Sequence, residues 1–167
     1  VFLAAKGINP EGFSFEKEFI NAAKEILKRA EVRNVEIVLA VDHKVAETET
    51  SSKTTVVTNE KLSAGKIPVD IGTESAKLFA NALNGCGYII WTGPFGISRN
   101  SKLVTGSKKF ASEAVKKGVK TLACGKETAR LINKAGLTDS FTHVSSGSLA
   151  SMELLISGTL PCLEVLK

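Results

Sequence analysis

The chain has 167 residues, 43% of them hydrophobic, enough for one domain with a buried core and too apolar for a disordered segment. Its 22 basic and 17 acidic residues leave a formal charge of +5, with the lysines scattered and no run of five or more; that surface suits a small anion at least as well as a nucleic acid, and at 6% aromatic no base-stacking signature argues for the latter. No apolar run approaches the ~20 residues that cross a bilayer, Cys86, Cys124 and Cys162 form no Cys-x-x-Cys pair and read as reduced thiols of a cytoplasmic protein, and His43 and His143 lack metal-ligand spacing.

The first residues, Val1-Phe2-Leu3-Ala4-Ala5, carry no basic leader and no cap and read as helix interior, so the sequence is expected to begin inside a larger domain. After Gly12, apolar residues at Phe15, Phe19, Ala22, Ala23, Ile26, Leu27 and Ala30 recur at helical spacing, which predicts an amphipathic helix over 14–30 with Ser14 as its cap. The compact β-branched run 35–41 predicts a buried parallel strand. From 43 to 67 the composition turns polar and rich in threonine and serine. This reads as a long loop with at most an edge strand at Val56-Val57, and His43 is expected as a loop histidine at a strand end.

The second half alternates more clearly. Asp70-Ile71-Gly72-Thr73 leads into a helix with Ala76, Phe79, Ala80 and Leu83 on one face, closed by Gly85. A strand over 88–91, a helix over 101–117 stopped by Gly118, a strand over 119–123, a helix over 127–135 ending at Gly136, a strand over 141–144 and a helix over 147–156 follow in turn. That rhythm predicts an α/β fold, a three-layer αβα Rossmann-like parallel sheet with right-handed crossovers, in a single domain spanning 1–167.

Ligands of such sheets sit beyond the carboxyl ends of the strands, where helix N-termini present unpaired N–H groups. Three junctions fall there: 91–100, 124–128 and 145–151. In the second, Gly125, Lys126, Glu127 and Thr128 offer backbone amides, a cation, a carboxylate and a hydroxyl, suited to phosphate with a divalent cation; Glu127 is equally read as an acidic first-turn residue on a helix dipole. In the third, Ser145, Ser146, Gly147 and Ser148 form either an anion nest or an ordinary cap cluster. It is no Gly-x-Ser-x-Gly elbow, and no histidine follows it, which disfavours an esterase.

Taken in order, these pieces resemble the C-terminal, nucleotide-binding domain of phosphoglycerate kinases, from residue 1 to the end. Val1-Phe2-Leu3-Ala4-Ala5-Lys6-Gly7 is similar to the segment after that family's Gly-Gly-Met strand. Leu39-Ala40-Val41-Asp42 through Ala46 resembles its Leu-Pro-Val-Asp-x-x-x-Ala, Asp70-Ile71-Gly72-Thr73-Glu74-Ser75 its Asp-x-Gly-Pro-x-Ser, and His143 through Leu155 with Gly158 and Leu160-Pro161 its ending.

The resemblance implies an adenine-nucleotide site for ADP or ATP with Mg2+, and phosphoryl transfer between 1,3-bisphosphoglycerate and ADP, a glycolytic reaction carried by positioning and charge neutralisation. By the same resemblance the family's Gly-Gly-x-Lys phosphate loop, its hinge and its acid-substrate domain lie before residue 1, which makes the missing N-terminal part of a parent protein an expected partner. The chemistry-bearing words depart from the family. In Trp91-Thr92-Gly93-Pro94, Thr92 stands for an asparagine near the phosphates while Gly93 and Pro94 are kept, and Arg99 replaces a glutamate that accepts from the ribose, so an acceptor becomes a donor-only group. Cys124-Gly125-Lys126-Glu127-Thr128 stands for Gly-Gly-Gly-Asp-Thr, with Glu127 on the metal side. Ser146-Gly147-Ser148-Leu149 stands for Thr-Gly-Gly-Gly, with Gly147 and Ser148 at the transferring phosphate and a bulky Leu149 where bare backbone is expected. Pro68 replaces a glycine of the adenine pocket and removes a backbone donor. The expectation is a divergent domain that binds nucleotide weakly and is impaired or inactive alone; the alternative is a non-catalytic regulatory or interaction module that keeps the fold.

Overall fold

Short apolar strands alternating with amphipathic helices organise the second half of the chain, and the computed structural model, which describes residues 1–9, 12–63 and 65–166, pairs those strands in parallel. The helices α1 (Phe2–Ala5) and α2 (Lys17–Val32) come first and pack on each other around the buried Ala4 and Ala23. Strands β1 (Asp42–Ala46), β2 (Thr55–Thr58) and β3 (Ile67–Ile71) follow, then α3 (Thr73–Ala82), β4 (Tyr88–Thr92), α4 (Thr105–Lys116), β5 (Lys120–Cys124), α5 (Lys126–Lys134), β6 (His143–Ser145), α6 (Leu149–Ser157) and α7 (Pro161–Glu164). No helix among the described residues is long and apolar enough to cross a membrane.

Strands β4, β5 and β6 form a parallel sheet in that order, with Trp91 beside Ala123 and Ala123 beside Val144. Along β4 the burial alternates: Ile89 and Trp91 point into the core, whereas Tyr88 and Ile90 on the other face are 70% and 53% exposed. Trp91 is the centre of that core, packed among Phe110 and Ala111 of α4, Leu131 and Ile132 of α5, and Phe141. Its ring meets Phe110 edge-on at 5.2 Å between centroids, a favoured aromatic geometry. The α/β class with a parallel, Rossmann-like sheet is thus as the strand and helix rhythm implies.

The first half corrects the sequence reading. The run 35–41 belongs to neither sheet: β-branched residues favour extended backbone, but a strand also needs a neighbour in register, and none of the described strands pairs with this run. Its end is instead held from the side, with Val41 N donating to Ser75 Oγ at 2.9 Å and Asn59 Nδ2 donating to Ala40 O at 3.0 Å. The strand begins at Asp42, and it is antiparallel. It pairs with β2 on one side and β3 on the other, with a register shift between Lys44 and Val45. The region 43–67, expected as loop, therefore contributes to all three strands of a second sheet, Val56 and Val57 lie in its edge strand β2, and His43 is a strand residue whose Nε2 contacts Asn59 Oδ1 at 2.8 Å.

Two buried aspartates join this second sheet to the helices of the first. Asp42 accepts the first-turn amides of α3, from Glu74 N at 3.1 Å and Ser75 N at 2.8 Å. Asp70 does the same for α4, accepting from Gly106 N at 2.5 Å and from Ser107 Oγ at 2.9 Å. Each carboxylate satisfies helix-terminal donors that have no intrahelical partner. The amide of Ile97 also donates to Val69 O at 2.9 Å, which pins the loop after β4 against β3.

Candidate nucleotide site at the strand ends

The register of the parallel sheet decides which loops meet. Thr92 lies beside Cys124, and Cys124 beside Ser145, so the three strand-to-helix junctions expected to carry chemistry emerge side by side. Thr92 is exposed and Pro94 half-buried at the mouth of the first. Gly93 turns the chain with φ of 85°, and its N–H donates to Thr128 Oγ1 at 2.9 Å; Thr128 itself is 1% exposed. Gly125 turns the second junction with φ of 99°, a region that disfavours side chains with a Cβ, and its N–H donates to Ser145 O at 3.0 Å. The sequence places glycine at both turns for that reason.

Gly125 is the N-cap of α5, and no side chain caps this helix, so its first-turn N–H groups lack a side-chain acceptor at the sheet end, where the positive end of the helix dipole lies. Lys126 is exposed there. Glu127, expected on the metal side, is already engaged: Arg130 Nη1 donates to its two carboxylate oxygens at 2.9 and 3.0 Å, and the hydroxyl of buried Ser98 donates to Oε2. The Ser98 hydrogen bond holds the Glu127 carboxyl below the usual carboxylate range, and the neighbouring charges of Arg130, Arg99 and Lys126 add to the effect. No group of three or more histidine, cysteine or acidic side chains that could hold a metal occurs among the described residues. The one carboxylate of the three junctions, Glu127, is thus already occupied by Arg130 and Ser98 and offers Mg2+ no free ligand as it stands.

At the third junction the serines bond among themselves. Gly147 N donates to Ser145 Oγ at 3.1 Å, and Ser151 Oγ donates to Gly147 O at 3.0 Å. A Cβ at Gly147 would come within 2.8 Å of Ser151 Oγ, so a side chain there would have to turn that hydroxyl aside. Ser148 is the N-cap of α6 but makes no side-chain capping bond, and Leu149 after it is 84% exposed.

Pro68 lies on β3 and not on a junction, but its neighbour Val69 accepts the Ile97 amide of the first junction at 2.9 Å. Pro68 lines an apolar cavity of about 240 Å³ together with Leu3, Phe13, Phe15, His43 and Leu62.

A family model described as "Phosphoglycerate kinase" matches residues 1–158. The chain belongs to the phosphoglycerate kinase family. The phosphoglycerate kinase of Desulfosudis oleivorans is 32% identical over 167 residues, covering 99% of this chain and 42% of that protein. A probable phosphoglycerate kinase of Caenorhabditis elegans is 34% identical over 167 residues, covering 97% of this chain and 40% of that one. Among solved structures, phosphoglycerate kinase from Coxiella burnetii superposes with a TM-score of 0.86 at 28% identity, over 99% of this chain and 43% of that chain. The structure from Pyrococcus horikoshii shares the fold, with a TM-score of 0.82 at 21% identity. The chain thus spans about 42% of the length of the curated relatives it matches.

For a member of the phosphoglycerate kinase family, the arrangement is uneven. Gly93, Gly125, Glu127, Thr128 and Arg99 come together; Gly147 and Ser148 sit on the adjoining junction; Pro68 is linked to the first junction only through its neighbour Val69. Two residues of the cluster, Ser98 and Arg130, were not among the sequence candidates. Arg130 was findable, since it follows Glu127 at the i,i+3 spacing of a helical ion pair. Ser98 left no local signal, because 29 residues separate it from its partner.

Proposed function

We propose that residues 1–167 form a single adenine-nucleotide-binding domain of phosphoglycerate kinase type, part of a longer cytoplasmic polypeptide, which binds ADP and ATP weakly. On its own it is impaired or inactive in the family reaction, phosphoryl transfer between 1,3-bisphosphoglycerate and ADP. The observation that carries this reading is the Gly93–Thr128 hydrogen bond, which joins the two turns best placed to hold a polyphosphate and keeps the free N-terminus of α5 beside them.

In this reading the first-turn amides of α5 and the side chain of Lys126 take the phosphates, Thr92 and Pro94 border them, and the apolar cavity beside Pro68 takes the base. Donors are scarce, however. Gly93 N–H and Gly125 N–H are spent on Thr128 and Ser145, and Leu149 projects an apolar side chain at the start of α6, where Gly147 and Ser148 would approach the transferring phosphate. Catalysis of this kind depends on donors aimed at developing charge, so their loss affects rate more than fold. A non-catalytic interaction module is the second reading, favoured by the exposed Tyr88 and Ile90 on the open face of β4.

The test is calorimetric titration of residues 1–167 with ADP and ATP, alongside a coupled assay of ADP phosphorylation. Binding in the millimolar range or tighter with no turnover is expected. No heat at millimolar nucleotide overturns the nucleotide reading.

A further inference from the structure

We propose that nucleotide phosphates in this site are neutralised by Lys126, Arg130 and Arg99 in place of a divalent cation, so that free ADP binds at least as tightly as its magnesium complex. This rests on the nucleotide reading above.

The three junctions contain a single carboxylate, Glu127. A metal bridging that carboxylate and a phosphate would compete with Arg130, which bonds both oxygens, and at Oε2 also with the hydroxyl of Ser98, which is 5% exposed. Hard divalent cations need oxygen ligands that are free to turn toward them, and this one is clamped from two sides. The charge balance points the same way. Lys126, Arg130 and Arg99 surround Glu127, three cations against one anion, at the uncapped N-terminus of α5. Such a cluster attracts a polyanion and repels a second source of positive charge. Magnesium also cancels part of the nucleotide's own charge, and so removes part of what the cluster attracts.

The experiment is titration of residues 1–167 with ADP in EDTA and in excess magnesium chloride, at matched ionic strength. Affinity in EDTA is expected to equal or exceed that in magnesium. A loss of about fivefold or more on removing magnesium overturns the inference while leaving the nucleotide reading intact. No heat in either buffer overturns both. Glu127→Gln sharpens the result: it is expected to tighten metal-free ADP binding, whereas weakening confined to magnesium buffer would make Glu127 a metal ligand and defeat the proposal. Arg130→Gln is expected to weaken metal-free binding and to create a magnesium dependence. Melting curves check that both variants fold, and the wild-type comparison decides the matter if either does not.

Discussion

The amide of Gly93 donates to the hydroxyl of Thr128 at 2.9 Å, and this bond fastens the turn after β4 to the buried first turn of α5. Thr128→Val keeps the shape of the side chain and removes the acceptor. Because Gly93 is exposed, water can replace part of the lost bond, so the stability cost is about 1 kcal/mol. The functional cost is larger in kind, since the turn is then free to move away from the helix terminus. Urea denaturation is expected to show the small loss, calorimetry a weaker ADP affinity, and Thr128→Ser a recovery of both. Unchanged affinity in Thr128→Val would detach this bond from the site.

Gly106 poses a contest between helix propensity and space. In an open helix, alanine in place of glycine stabilises by about 1 kcal/mol. Here a Cβ would lie 2.7 Å from both the backbone oxygen and Cγ1 of Ile71, and it would press on Asp70, whose carboxylate caps α4 through this same residue. A backbone oxygen has no rotamer to yield, and overpacking costs about 1–3 kcal/mol. Gly106→Ala is therefore expected to lose about 1–2 kcal/mol net, read by calorimetry as a melting point roughly 2–4 °C lower per kcal/mol. A higher melting point would show that the contact relaxes freely.

What was legible in the sequence, and what was not, follows from the range of the interactions. The helices of the second half were legible because their apolar residues recur at helical spacing and glycines end them: Gly118 and Gly136 sit at φ of 66° and 69°. Strand β4 and the turns at Gly93 and Gly125 were legible for similar local reasons. The run 35–41 was misread because its residues specify extended backbone and say nothing about a partner. Strand β3 went unread because Pro68 suggests a break, although its missing N–H is tolerated opposite Val45 beside an irregular register. In the site, Thr128 and Glu127 were visible as helix-start residues. The clamp on Glu127 was half visible, through Arg130, and half hidden, through Ser98.

Leu149 is the substitution with the clearest expected gain. At 84% exposure it contributes little to the core, and it occupies the first position of α6, where glycine costs less than about 1 kcal/mol in helix propensity. Leu149→Gly is therefore expected to leave stability nearly unchanged and to strengthen ATP binding, by opening the approach to Gly147 and Ser148. Titration calorimetry paired with denaturant melts checks this. If affinity does not rise, the correspondence assigned to 146–149 is misplaced.

Acid should act on the two buried aspartates in opposite directions. Burial works against ionisation of Asp42, but hydrogen bonds from the Ser75 hydroxyl and from the amides of Ser75 and Glu74, with the charge of His43, outweigh it and hold the carboxyl below its usual range. The unfolded chain then binds a proton more readily than the folded one. The contribution of Asp42 is therefore fully present above the unfolded value of about 3.9 and is lost as pH falls through it toward the lower folded value. Burial dominates at Asp70 and pushes its carboxyl up despite bonds from Ser107 and Gly106, so ionising it costs the fold, and that cost is relieved as pH falls. Asp42→Asn isolates the first effect, because Asp70 is common to both proteins. The stability gap between wild type and variant, read by urea denaturation, is expected to be about 1–3 kcal/mol near neutral pH. It should narrow below about pH 4, where the wild-type carboxyl also begins to protonate. A gap that stays constant down the acid limb would mean that the amides of α3 are held by the shape of the Asp42 side chain and not by its charge.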